Sequence, residues 1–123
     1  MSGNSLLLDT NIILYFLGGD DTLVPLIEEK NLIISIITEI EILSYSALTR
    51  EEIVQTKQFL KHCSSISITS DIKERAISIR RKYKMKLPDA IIAATSLSLD
   101  IPIITADNDF KKVKNSNLIF YEK

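Results

Sequence analysis

Short apolar runs alternate with segments of helical period along this chain. Ser5-Leu6-Leu7-Leu8, Asn31-Leu32-Ile33-Ile34-Ser35, Ile101-Pro102-Ile103-Ile104 and Leu118-Ile119-Phe120-Tyr121 have the length and branched composition of buried strands. Ser65-Ile66-Ser67-Ile68-Thr69 alternates apolar with polar, as a strand with one wet face does. Between these runs, residues 11–17 predict an apolar helix ended by Gly18-Gly19. Thr22 is placed to cap a second short helix reaching Lys30, with Pro25 tolerated in its first turn. Residues 38–48 are helical in pattern, and Thr49 with Glu52 has the spacing of a capping box opening a helix to His62. Ser70 or Asp71 caps the next helix, in which Ile72, Ala76, Ile79 and Tyr83 form one apolar stripe. Pro88 interrupts that pattern and opens a last helix over 89–99.

Strands therefore alternate with helices, and most strands are apolar on both faces. That pattern predicts an α/β fold whose mostly parallel central sheet, of about five short strands, is covered on both sides. Ligands of such sheets bind beyond the carboxyl ends of the strands. Asp9 and Asp107 fall at those ends.

Composition narrows the picture. A chain of 123 residues, 46% hydrophobic and 25% charged, is read as one domain over 1–123, and three Gly and three Pro leave little room for a linker. The lone Cys63 has no internal disulfide partner and reads as a small apolar residue. The N-terminus lacks the basic and apolar segments of a secretory signal, and no apolar run nears the roughly 20 residues of a membrane span. A cytoplasmic location, away from the membrane, is the expectation. A net charge of −1 argues against non-specific coating of nucleic acid, but it leaves room for a local basic surface.

Four acids mark the places where apolar segments meet polar breaks: Asp9 in Leu8-Asp9-Thr10-Asn11, Asp89 in Leu87-Pro88-Asp89-Ala90, Asp107 in Thr105-Ala106-Asp107-Asn108-Asp109, and Glu41. Taken singly, Asp9, Asp89 and Asp107 read as ordinary helix caps or dipole partners. Glu41 is harder to dismiss, because it lies between Ile40 and Ile42 on a helix too apolar for a solvated face. Glu39 and Glu41 cannot share a face, since helix neighbours lie three or four apart. Carboxylates gathered at the edge of a core repel and are costly to desolvate, and a hard divalent cation is the usual remedy.

The segments around these acids resemble the four motifs of PIN domains, in the family's order and over nearly the whole chain. Asp9-Thr10-Asn11 after the first strand resembles the opening motif. Thr38-Glu39-Ile40-Glu41-Ile42-Leu43 resembles the second, with Glu41 in the position of its acid. Leu87-Pro88-Asp89-Ala90-Ile91-Ile92-Ala93-Ala94 matches the third most closely, and Thr105-Ala106-Asp107-Asn108-Asp109-Phe110 resembles the fourth. The size is that of VapC-type toxins. The resemblance implies a three-layer α/β/α fold and a ribonuclease in which Asp9, Glu41, Asp89 and Asp107 are catalytic and metal-binding, with Asp9 and Asp89 anchoring the principal ion. It implies Mg2+ (or Mn2+), an RNA substrate, a cognate antitoxin and a homodimer, with apolar helices 11–17 or 36–48 as dimer surfaces. Thr10, Asn11, Thr105 and Asp109 are supporting residues. The pairing of Glu39 with Glu41 departs from the family's single acid.

Metal-assisted phosphodiester hydrolysis needs no histidine base, and the only histidine, His62, reads as a helix-end residue. Arg80-Arg81-Lys82-Tyr83-Lys84-Met85-Lys86 runs into Asp89. Part of that cluster is a dipole-favoured helix end. Cations beside an acidic pocket also suit an RNA backbone, which makes Arg80, Arg81, Lys82, Lys84 and Lys86 candidate phosphate contacts, extended by Lys111, Lys112 and Lys114. Two other readings stand beside this one. A PIN nuclease in RNA processing has the same residues without an antitoxin. A phospho-receiver domain is disfavoured, because it expects a lysine after a late strand where Thr105-Ala106-Asp107 stands.

Overall fold

The computed structural model describes residues 3–123. Strands β1 (Ser5–Leu8), β2 (Asn31–Ser35), β3 (Ser64–Ile66), β4 (Ile103–Thr105) and β5 (Leu118–Phe120) form one sheet in the order β3-β2-β1-β4-β5. Every pairing is parallel. Parallel neighbours need crossovers, and up to β4 these run through helices α1 (Thr10–Leu17), α2 (Val24–Ile27), α3 (Ile36–Leu43), α4 (Arg50–Leu60), α5 (Ser70–Tyr83) and α6 (Leu87–Leu99), while β4 reaches β5 through a 3-10 turn over Asn108–Lys112. The expected α/β/α layering follows. A phospho-receiver sheet runs 2-1-3-4-5, so the observed order removes that reading.

Side chains alternate across β1, and this one strand feeds both cores. Leu6 and Leu8 pack with Ile12, Ile13, Leu23, Ile34, Ile42 and Ile104, under α1 to α4. Leu7 packs on the opposite side with Ile33, Ile72, Ala76, Ile92 and Ile103, under α5 and α6. Each such buried Leu or Ile side chain contributes about 1.5–3 kcal/mol. Helix α6 is buried continuously from Ala90 to Ser96, so Asp89 is carried on one of the best-anchored elements. No helix among the described residues is long and apolar enough to cross a membrane.

Local signals hold at some element ends and fail at others. Thr49 and Glu52 form the reciprocal capping box, and Gly18-Gly19 ends α1, with Gly19 at φ 96°. The helix from Thr22 to Lys30 does not form. Asp20, not Thr22, caps a 3-10 turn over Asp21–Leu23, and α2 stops at Ile27 because Glu28 turns extended and Glu29 sits at φ 63°. Helix α3 stops at Leu43 rather than Leu48: the Ser44 hydroxyl donates to the Ile40 carbonyl at 2.5 Å, and the Ser44 N–H closes the turn. Thr69, one residue ahead of the expected caps, accepts from the Ile72 N–H to open α5. The strand expected at 65–69 is only Ser64–Ile66.

Two helices end on residues in the left-handed region, Lys84 at φ 57° after α5 and Asp100 at φ 53° after α6. A Cβ there is strained, and an acid at a helix C-terminus also opposes the dipole. Replacing the exposed Asp100 by Gly is expected to stabilise the protein by about 1 kcal/mol. A thermal melt reads this as a rise of a few degrees; a lowered Tm would contradict the strain at this cap.

Candidate active site

The sheet order reverses direction between β1 and β4, and open α/β sheets place their ligand crevice at such a switch point. Asp9 follows β1 directly, and Asp107 stands two residues beyond β4. Helix α3 leaves the same edge from β2 and brings Glu41. The first turn of α6 brings Asp89, and the 3-10 turn over Asn108–Lys112 brings Asp109. One edge collects all five acids.

Hydroxyls hold this arrangement. Asp9 is 4% exposed; its Oδ1 accepts the Thr10 N–H at 2.8 Å and its Oδ2 accepts the Thr105 hydroxyl at 2.6 Å. The same Thr105 oxygen accepts the Asp107 N–H at 3.0 Å, and Asp107 Oδ1 accepts the Asp109 N–H at 2.9 Å. On the other side, the Thr10 hydroxyl donates to Glu41 Oε1 at 2.9 Å, with the buried Thr38 hydroxyl at 3.2 Å. Two chains of hydrogen bonds thus radiate from Asp9, one to Asp107 and Asp109, the other to Glu41. Thr10 and Thr105, expected as supporting residues, each hydrogen-bond a carboxylate of this edge. Asn11 is exposed and makes no side-chain hydrogen bond among the described residues. Thr38 was legible only as a register marker, since its partner lies 28 positions away.

Two of the acids, Asp9 and Asp89, resist ionisation. Desolvation pushes the Asp9 carboxyl from its ordinary 3.8 to about 6; its two hydrogen bonds oppose this, while Asp107 and Glu41 add repulsion. Asp89 is likewise pushed to about 6, first by desolvation and then by Asp9, Asp107 and Glu41, with Lys86 pulling it back. One carboxylate oxygen from each of Asp89, Asp107 and Asp109 lies within 4.8 Å of the others. An all-oxygen donor set, crowded and short of positive charge, fits a hard divalent cation. Asp109 enters this trio although its Oδ1 also pairs with Lys112 at 3.1 Å. That pair is exposed and weak.

The other sequence candidates lie around this edge or away from it. Arg80 Nε donates to the Met85 carbonyl at 3.2 Å, so one basic side chain braces the end of α5. Lys82 lies over the Tyr83 ring and Lys111 over Phe120. Arg81, Lys84 and Lys86 are exposed. His62 lines a cavity of about 420 Å³ with Ser5, Lys30 and Ser64, at the amino ends of β1 to β3. It stands at the opposite edge of the sheet from the acids.

The Asp9 shift has a definite sign. Its folded pKa lies above its ordinary value, so the fold binds that proton more tightly than the open chain does. Stability from this group is complete below about pH 4 and is lost as pH rises through about 6. Without metal, lowering the pH from 7.5 to 5 is expected to stabilise the protein by on the order of 1 kcal/mol through Asp9 alone. Asp9→Asn should raise the metal-free Tm at pH 7.5 and flatten its slope between pH 5 and 7.5. Melts in EDTA across that range provide the check, and an Asp9→Asn variant that keeps the full slope would refute it.

The chain matches the PIN domain family over residues 6–116. A chain of a toxin–antitoxin complex from Klebsiella pneumoniae is 32% identical, superposes with a TM-score of 0.80, and matches over 93% of this chain and 95% of that one. VapBC-1 from nontypeable Haemophilus influenzae shares the fold at a TM-score of 0.78 and 20% identity, covering 97% of this chain and 99% of that one. DNA-bound VapBC from Salmonella typhimurium does so at 0.81 and 16% identity, covering 94% and 97%. No curated protein sequence matches. With its four acidic motifs on one sheet edge and a family match spanning nearly its whole length, the chain belongs to the PIN domain family.

Proposed function

We propose that this protein is a magnesium-dependent endoribonuclease, the toxin of a VapBC-type pair. The observation that carries this reading is the convergence of Asp9, Glu41, Asp89 and Asp107 at the switch point, where two of them are driven to about 6 by desolvation and mutual repulsion. Those four residues would hold the cation together with Asp109, whose carboxylate lies with those of Asp89 and Asp107 in a trio of oxygens within 4.8 Å of one another. When bound, Mg2+ (or Mn2+) neutralises charge on the phosphate and favours ionisation of a water.

The chain's own residues do the positioning. Thr105 fixes Asp9, and Thr10 fixes Glu41, so neither carboxylate swings when substrate arrives. A carboxylate accepts through about four lone-pair sites. Oxygens with sites to spare can therefore orient the attacking water in line with the scissile bond. His62 takes no part. Arg81, Lys82, Lys84 and Lys86 would guide the backbone toward Asp89, while Arg80 also braces the helix end that presents them.

The antitoxin partner is supported by the Klebsiella pneumoniae relative, which belongs to a toxin–antitoxin complex. Exposed apolar side chains such as Leu26, Ile40, Val54 and Ile77 offer surface for an antitoxin or a second copy. Helices α1 and α3 both commit side chains to the core, Ile12 and Ile13 from one and Ile42 from the other, but only α3 exposes a large apolar side chain, Ile40, which favours it for a dimer.

Wild-type protein is expected to cleave RNA with Mg2+ or Mn2+ and to stop with EDTA, whereas Asp9→Asn and Asp89→Asn lose at least 100-fold, as expected when a positioned catalytic charge is removed (about 2.7 kcal/mol). Gel-resolved cleavage decides this; metal-independent cutting, or full activity in both variants, sinks the assignment. In cells, expression should arrest growth, and co-expression of the cognate antitoxin should relieve it. Arrest that persists in Asp89→Asn would show that toxicity does not run through these acids.

A further inference from the structure

Eight aromatic rings lie in the chain, and seven have an evident structural occupation. Phe16 and Phe59 pair at 5.4 Å between centroids. Tyr15, Tyr83 and Phe120 lie under Lys123, Lys82 and Lys111. Phe110 is 2% exposed in the core, and the Tyr121 hydroxyl donates to Asp20. Tyr45 is the exception among the described residues: it has no ring partner, no cation and no hydroxyl hydrogen bond, and it is 40% exposed.

Its place gives that exposure a meaning. Tyr45 stands four residues after Glu41 and just outside α3; Ser44 before it keeps right-handed dihedrals (φ −91°, ψ −6°), and the Tyr45 N–H bonds to the Ile42 carbonyl at 3.3 Å. That bond holds Tyr45 against the last turn of α3, the turn that carries Glu41. Burial first, and then the charges of Glu41 and Asp9, push its hydroxyl up from the ordinary tyrosine value, which agrees with that position. A free aromatic face at the rim of a phosphate-cutting pocket meets a fixed need. Single-stranded substrate must be held in line at one phosphate, and the base beside that phosphate is otherwise unsupported. Stacking suits this position because every base has a π face and the contact adds no charge against the phosphate.

We propose that Tyr45 is the stacking platform for a nucleobase flanking the scissile phosphate, a substrate-binding residue shared by all sequences rather than a reader of one. This deepens the nuclease reading and rests on it. The chain contains no tryptophan, so Tyr45→Trp creates a single reporter at the site. In the Asp89→Asn background, where cleavage is blocked, single-stranded RNA hexamers are expected to quench that reporter saturably. Abasic ribose-phosphate hexamers and inorganic phosphate should leave it unquenched. Binding followed independently by anisotropy should weaken on the order of tenfold in Tyr45→Ala and return in Tyr45→Phe and Tyr45→Trp. RNA that binds by anisotropy without quenching the reporter, or Tyr45→Ala that binds like its parent, overturns the platform and leaves the nuclease reading standing. Failure of the parent to bind RNA at all overturns both.

Discussion

The carboxyl of Asp9 is the constraint on which this structure turns. It is buried at the end of a strand that feeds both cores, beside Glu41, Asp89 and Asp107, and it ionises only against desolvation and their charge. A group in that position would normally swing toward water or be lost. It stays because Leu6, Leu7 and Leu8 anchor the strand on both faces, and because the Thr10 N–H and the Thr105 hydroxyl hold its two oxygens. Core packing thus supports a site that would not form on its own. Part of the stability of the two hydrophobic layers is spent on keeping like charges together.

The same balance explains the architecture of the edge. Each acid arrives from a different element, and the elements are short: β1 has four residues and β4 three. Short strands place their ends accurately only if flanking helices are fixed. Helix α6, buried along most of its length, supplies that rigidity for Asp89, and α3 packs against it to set Glu41. The 3-10 turn after β4 is held by Phe110 in the core. The pocket therefore inherits its geometry from packing on both sides of the sheet.

Much of this was legible in the sequence, for reasons that differ by residue. The alternation of apolar runs with helical stripes carried the fold class, and the capping box at Thr49 and Glu52 is a local signal that acted locally. The acids were legible because their neighbours are unusual for strand and helix ends. What failed was of two kinds. Boundaries moved where a competing local bond won, as Ser44 did at the end of α3 and Asp20 did over Thr22. Long-range partners left no local trace. The Thr105 to Asp9 bond spans 96 positions and the Thr10 to Glu41 bond 31, so Thr105 and Thr10 read as supporting residues without their partners, and Thr38 only as a register marker. Tyr45, the residue proposed as a stacking platform, carries no local signal either, because an exposed tyrosine after a helix is ordinary.

The choice of hydroxyls over cations as holders of the acids follows from the chemistry proposed for them. A lysine or arginine beside Asp9 would relieve the repulsion and lower its pKa, but it would also fill the place of an exchangeable cation with a fixed one. Thr10, Thr38 and Thr105 orient oxygens while leaving the negative charge intact. Full-charge neutralisation is kept to the rim, in the exposed Lys112 to Asp109 pair and in Lys86 near Asp89. The pocket is thereby held in shape and left uncompensated. Its strain is relieved by protonation or, on the function proposed, by a cation arriving from solution, which would tie stability, metal affinity and hydrolysis to the same carboxylates.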